Sequence, residues 1–508
     1  MPKYQGWAGK ILRVNLSSGS ITTEDTVKYK EYIGGMGLGY KIMWDEVDEK
    51  TKPFDEENII VFGAGPLTGT GAPCTARTNI TSLLPANPQN LIGDSHMGGH
   101  FSPEMKYAGY DAIVIEGKAS RPVWLRIEDD KVSLESASRL WGQGIFDTTA
   151  NIASMMGKEA QVAAIGQAGE NQVPLSTIMT NGNHSAGGHG GIMGSKNLKA
   201  IGIIGTKSVK YAADKEDWIE LNESVMSIIG ANNQHVVPST PQPWAEFHDA
   251  SSRWTAQEGL YWGAADEEVE TGICKPEDTN RIGYRTMKAI KDLGPISEDY
   301  TVRMGGCQSC PIRCHSSVKV PELEKYGVSP YVSNTCMGYF NHWYVNQNAE
   351  SEMDNFLNKT LGAQLADDYG LWFNYGQLGR DLKYLYDNGI FEEVLPEDEY
   401  NDIPWDLYEV GDPEFLVDFY RRLAFREGEI SHISDGAAQI AERWDLDDDY
   451  WNYKGNKLWS KMGHPVHHAN ESDGQVGALI NTIFNRYPMC HSHQNFIGSG
   501  LPVKFQKE

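Results

Sequence analysis

A chain of 508 residues is too long for one hydrophobic core and calls for roughly two to four domains. With 40% apolar and 22% charged residues it has the balance of a soluble globular protein. Its formal charge of −25 excludes nucleic acid as a partner, because an acidic surface repels phosphate, and suits a small-molecule enzyme or one that docks a basic protein. No apolar run of about 18 residues is present to span a membrane, and Met1-Pro2-Lys3-Tyr4-Gln5-Gly6-Trp7 lacks the apolar stretch of a secretory signal.

The first 208 residues read as β-rich. Lys10-Ile11-Leu12-Arg13-Val14-Asn15-Leu16 alternates in polarity and runs into Ser17-Ser18-Gly19-Ser20, a half-buried strand and hairpin. Strands are expected again at 58–63, 112–117, 123–127, 161–166 and 200–205. Short strands with glycine corners and few helical stretches predict packed antiparallel sheets. The glycine run Gly34-Gly35-Met36-Gly37-Leu38-Gly39 follows no clear strand and has the wrong spacing for a dinucleotide fingerprint.

Beyond residue 209 the spacing turns helical, at 216–229, 363–388 and 413–426. The acidic stretch Pro396-Glu397-Asp398-Glu399-Tyr400-Asn401-Asp402 is expected to be a solvated loop. The fold class is therefore α+β. A β-rich two-sheet domain at 1–208 precedes a helical domain at 209–415 and a helical, incomplete one at 416–508.

Seven cysteines make a poor disulfide framework, and three of them fall within eight residues, in Cys307-Gln308-Ser309-Cys310-Pro311-Ile312-Arg313-Cys314. Such crowding points to a metal and a reducing, cytoplasmic compartment. The flanking Gly305-Gly306 lets backbone amides approach sulfur. A C-x2-C-x3-C run suits a [4Fe–4S] cluster with a fourth ligand from elsewhere. Structural zinc, which usually brings a second pair, and three free thiols stay open on spacing alone.

Five segments in order resemble the tungsten aldehyde:ferredoxin oxidoreductase family: residues 7–16, 63–70 (Gly63-Ala64-Gly65-Pro66-Leu67-Thr68-Gly69-Thr70), 106–113 (Lys106-Tyr107-Ala108-Gly109-Tyr110-Asp111-Ala112-Ile113), 164–171 and 193–200. The resemblance implies two sheets cradling a tungsten (or molybdenum) bis-pyranopterin beside a [4Fe–4S] cluster held by Cys307, Cys310 and Cys314. Arg77 matches the arginine between pterin and cluster, where a guanidinium donates to phosphate or sulfide. The stretches His96-Met97-Gly98-Gly99 and His184-Ser185-Ala186-Gly187 match the phosphate-binding glycines. Backbone carbonyls of His96 and Ala186 match those holding a Mg2+ between the pterin phosphates. Asp367-Asp368-Tyr369-Gly370-Leu371 matches a D-x-x-G-L pterin motif through Asp367, Gly370 and Leu371, although Trp372 replaces the usual acidic residue or cysteine. Cys490-His491 resembles a pair lining the metal pocket, with His491 exchanging protons.

Two departures stand out. Ser333 or Asn334 falls where aldehyde oxidisers carry a glutamate, and a neutral group cannot act as a general base. Cys336, just beyond, resembles a tungsten ligand of class II benzoyl-CoA reductase, and Trp254-Thr255-Ala256-Gln257-Glu258 resembles that enzyme's active-site segment with Glu258 as proton donor. A buried, inert Cys336 is the alternative. The family's fourth cluster cysteine would fall past Glu508, so the chain is expected to be truncated, or the ligand to come from another chain, water or Cys274. The expected activity is oxidation of an aldehyde to an acid, with ferredoxin or an iron–sulfur subunit as acceptor in an oligomer or complex. The alternatives are reduction of an aromatic acyl-CoA and an inactive electron-relay or structural subunit.

Overall fold

The structure is a computed structural model that describes residues 5–181, 184–228, 296, 299–310, 315–335, 349, 351–372 and 377–454. Every strand expected in the first half is present: β1 (Lys10–Asn15), β3 (Ile60–Ala64), β6 (Ala112–Glu116), β7 (Val123–Glu128), β9 (Gln161–Ala164) and β12 (Leu198–Ile204). Six more join them: β2 (Ser20–Asp25), β4 (Thr78–Leu83), β5 (Ile92–Met97), β8 (Lys131–Ser136), β10 (Thr177–Thr180) and β11 (His184–Gly187). They form two six-stranded sheets, ordered β2-β1-β6-β3-β4-β5 and β11-β10-β9-β12-β7-β8.

The sheets are not purely antiparallel as expected. β1 runs parallel to β6, and β7 parallel to β12. Each of those pairs is separated in sequence by helices, which supply the long crossover that a parallel pair needs. These are Gly35–Glu46 and Phe101–Ala108 in one case and Ile145–Met156 in the other.

Period-two patterning decides the layering. Leu12, Val14, Phe62, Ile113 and Ile115 of the first sheet face Leu125, Ile127, Ala163, Ile201 and Ile203 of the second in a shared core. The intervening Ile11, Val61, Ala112 and Val114 point outward onto the helix Gly35–Glu46. Trp124, Val162, Ala164 and Ala200 do the same beneath Ile145–Met156. The result is four layers, helix–sheet–sheet–helix. β4 escaped prediction because it is buried along its whole length, its polar residues included. Thr81 Oγ1 donates to Asn79 Oδ1 at 2.7 Å, and Ser82 Oγ to the Ile59 carbonyl at 2.6 Å.

The family-like segments are largely struts. Lys106 is buried and donates to Asp111 at 2.5 Å and to the Gly6 carbonyl at 2.7 Å. Asp111 also accepts from Ala8 N, Gly9 N and Thr26 Oγ1, fixing the entry to β1. Lys199, equally buried, joins the Glu170 carboxylate to the Gln143 carbonyl.

The second half is mostly helical, as expected, and packs around Phe356, Leu361, Leu382, Phe415, Phe419 and Leu423. The helix expected at 363–388 is two helices, Glu352–Tyr369 and Gln377–Asp387. Gly370, with φ +74°, ends the first in a left-handed cap that a side chain would strain. The acidic stretch is a short helix, Glu397–Asp402, rather than a loop, its acids favourably placed in the first turn. A three-stranded antiparallel sheet not foreseen from sequence, β13 (Thr301–Gly305), β14 (His315–Lys319) and β15 (Tyr331–Thr335), frames the cysteine run. No helix among the described residues is long and apolar enough to cross a membrane.

Candidate cofactor site

The two large sheets adjoin through β5 and β11, each the terminal strand of its sheet. A terminal strand leaves one row of backbone N–H and C=O groups outside the ladder. His96 lies on β5 and Ala186 on β11, so the two carbonyl positions expected to share a cation belong to adjoining edges. Ser95 Oγ and His189 Nδ1, 2.8 Å apart and buried, tie the two edges together. The His96 ring is turned by Asp94, Nε2 to Oδ2 2.7 Å.

Both edges run straight into paired glycines. Gly98 has no room for a side chain, since a Cβ there would lie 2.7 Å from Cys307 Sγ and 2.8 Å from His184 Nδ1. At Gly187 a Cβ would fall into the indole of Trp372. The family position usually held by an acid or cysteine thus packs its ring on the β11 glycine.

The cysteine run leaves β13 and returns as β14, and three backbone or side-chain bonds lash it to the first half. Gln308 N donates to the Gly99 carbonyl at 3.2 Å, Gln308 Nε2 to Tyr107 Oη at 2.8 Å, and Cys74 N to the Ser309 carbonyl at 3.2 Å. Cys307 Sγ therefore faces Gly98, while Cys310 Sγ lies 3.6 Å from Cys74 Sγ.

Around Gly98 stands a basic group. His184 is buried, its ring centre 5.0 Å from that of His315 and nearly perpendicular to it. Burial, reinforced by the charges of His315, Arg77 and His100, pushes the His184 pKa well below the ordinary histidine range, so it is neutral at pH 7. Burial lowers His100 as well. Arg77 is half-buried beside them. His315 Nε2 lies 2.7 Å from Ser333 Oγ. A guanidinium, imidazole N–H groups, side-chain-free glycines and thiols make a donor set that fits anionic phosphates and an iron–sulfur core.

The D-x-x-G-L segment closes the far side. Thr177 N donates to the Gly370 carbonyl at 2.8 Å and Trp372 N to the Leu175 carbonyl at 2.7 Å, with Leu371 bridged to Ser176. The motif thereby docks the helix Glu352–Tyr369 beside β10, the partner strand of β11. Asp367 is partly exposed in that helix's last turn. The next residue, Asp368, accepts from Phe146 N at 3.0 Å and its pKa is raised by burial.

The fold thus gathers Arg77, His96, Gly98, Gly99, Ala186, Gly187, Cys307 and Cys310, with Asp367, Gly370 and Leu371 flanking β10 and β11. Glu258, Cys314, Cys336 and His491 lie outside the described residues. Among the described residues no three His, Cys, Asp or Glu side chains converge on a single-ion site. Sequence reasoning passed over Cys74, a lone cysteine, and His315, next to the cysteine run; neither stands in a motif that would single it out.

The comparisons agree with this geometry. The family model for the N-terminal domain of aldehyde ferredoxin oxidoreductase matches residues 11–205, and that for its domains 2 and 3 matches residues 229–500. Tungsten-containing aldehyde ferredoxin oxidoreductases of Pyrococcus abyssi and Pyrococcus horikoshii are 30% and 31% identical over 98% of this chain and 76% of their own. A solved chain from the active-site complex of a benzoyl coenzyme A reductase with 1,5-dienoyl-CoA superposes with a TM-score of 0.70 at 28% identity. That match covers 90% of this chain and 66% of the solved one. A two-sheet cradle whose edges meet a cysteine loop, together with these matches, places the chain among oxidoreductases whose named relatives are tungsten-containing. The chain belongs to the aldehyde ferredoxin oxidoreductase family.

Proposed function

We propose that this chain carries a tungsten bis-pyranopterin and a [4Fe–4S] cluster and oxidises an aldehyde to a carboxylic acid, delivering the electrons to ferredoxin or an iron–sulfur subunit in a reducing cytoplasm. The observation that carries the reading is the seating of Cys307 Sγ against Gly98, where the β5 edge meets the cysteine loop. The bound groups would supply two-electron chemistry at the carbonyl and one-electron exit through the cluster. The chain's own residues do the holding. Cys307 and Cys310, with Cys314 from the same run, would ligate iron. Arg77 would neutralise phosphate or sulfide charge. Gly98, Gly99 and Gly187 would let backbone N–H groups approach phosphate. The carbonyls of His96 and Ala186 would hold Mg2+, and Asp367 would accept a hydrogen bond from the pterin.

A second reading has specific support. The structural match to a benzoyl coenzyme A reductase accompanies neutral residues, Ser333 or Asn334, where aldehyde oxidisers place a carboxylate; Ser333 lies within hydrogen-bond distance of His315. On that reading the chain is the catalytic subunit of an aromatic acyl-CoA reductase, with Cys336 on tungsten and Glu258 donating protons.

Metal analysis and assay of anaerobically purified protein test both readings. About one tungsten and four irons per chain with dye-linked aldehyde oxidation support the first. Aryl-CoA reduction without aldehyde oxidation replaces it with the second. Zinc without tungsten or pterin refutes both.

A further inference from the structure

Cys74 belongs to neither the glycine edges nor the cysteine run, yet its sulfur touches a member of that run. Its Sγ lies 3.6 Å from Cys310 Sγ, at van der Waals contact, and it is exposed. A disulfide needs the sulfurs at about 2.0 Å, so closure asks for a further approach of the two sulfurs. The loops are already joined, Cys74 N donating to the Ser309 carbonyl at 3.2 Å. Both residues of that contact hold left-handed backbone, Cys74 at φ +59° and Ser309 at φ +55°. Conformations that cost energy persist where the surroundings over-determine them, and they concentrate at functional positions. The two described sulfurs of the run are also not equivalent. Cys307 is turned inward against Gly98 and His184, and Cys310 outward to Cys74.

We propose that Cys74 and Cys310 are an oxidant-responsive thiol pair whose disulfide takes a sulfur ligand away from the cysteine run. A hydroperoxide oxidises the exposed Cys74 thiol to the sulfenic acid, its O–O bond breaking with release of water or an alcohol. The Cys310 sulfur then attacks Cys74 Sγ, the S–O bond breaks, and the hydroxyl leaves as water, taking the Cys310 thiol proton or, where Cys310 is held on iron as a thiolate, a proton from solvent. Two thiols lose two electrons and the peroxide gains them, so the step balances. Reduction by a dithiol restores both. The disulfide needs only the geometry described; its consequence for iron rests on the cluster reading above. The pair would halt the enzyme reversibly under oxidant, because Cys310 is held as a disulfide instead of advancing to sulfinic acid.

The test treats anaerobically purified protein with graded hydrogen peroxide, then maps peptides and measures iron on the same samples. A linked Cys74–Cys310 peptide should accumulate as iron falls. After the oxidant is removed, the wild type should rebuild its cluster from iron and sulfide several-fold better when a dithiol is added first. Cys74→Ala and Cys74→Ser should give no such peptide and rebuild equally well with or without dithiol. A Cys307–Cys310 linkage, sulfinic acid at Cys74 without any linkage, or dithiol-independent rebuilding in the wild type would overturn the proposal. Starting protein without iron sinks the cluster reading alone, since the peptide map still judges the thiol pair. Should both variants fail to fold, the wild-type map decides by itself.

Discussion

Gly98→Ala is the sharpest test of how the two halves meet. An added methyl would stand 2.7 Å from Cys307 Sγ and 2.8 Å from His184 Nδ1, whereas unstrained contacts lie near 3.5–4.0 Å. Overlap of about 1 Å arises against both neighbours, and relieving it costs about 1–3 kcal/mol. The cysteine loop can move, since it reaches this edge through only a few bonds, including Gln308 N to the Gly99 carbonyl, while the buried His184 ring on β11 must rotate aside. Metal–ligand distances tolerate only about 0.2 Å, so a shift that barely affects folding should empty the metal site. The variant should unfold within a few degrees of the wild type while its iron content and reduced-cluster EPR signal fall several-fold. Gly305→Ala is the control, because the nearest atom to its methyl is the His315 carbonyl oxygen at 3.8 Å. Full iron in Gly98→Ala, or equal loss in Gly305→Ala, would refute the reasoning.

Three further outcomes follow from buried charge and polar contacts. Asp111→Ala strands the buried Lys106 ammonium and orphans Ala8 N, Gly9 N and Thr26 Oγ1; a loss of about 3–5 kcal/mol should appear as a lower urea midpoint. Lys196, buried against the Glu56 and Gly117 carbonyls, has its pKa lowered by burial to about 8. Between pH 8 and about 10.4 the unfolded chain then holds one more proton than the folded one, so stability from this group rises with pH. Relative to Lys196→Met, the wild type should gain up to about 1.4 kcal/mol per pH unit across that window in denaturant titrations. Glu399 accepts from both Glu429 N and Ile430 N at 2.8 Å; Glu399→Ala should cost about 1 kcal/mol, measured by thermal unfolding, and no change would make its contacts incidental.

What the sequence determined by itself is local and periodic. Alternation in Lys10–Asn15 and Ala112–Glu116 specified strands with two distinct faces, because side chains on a strand alternate whatever it packs against. The crowded cysteines pointed toward metal chemistry without choosing among a cluster, zinc and free thiols, because their spacing alone fits all three. Tertiary structure decided the rest. β4 carries no polarity pattern, since its polar side chains find their partners only once Asn58, Ile59 and Asp94 are beside them. The acidic stretch from Glu397 looked solvated because the amides that Glu399 accepts lie thirty residues away. Cys74 and Cys310 are separated by 236 positions. No pattern along the chain links them, and only the docking of the cysteine loop onto the first sheet brings the two sulfurs into contact.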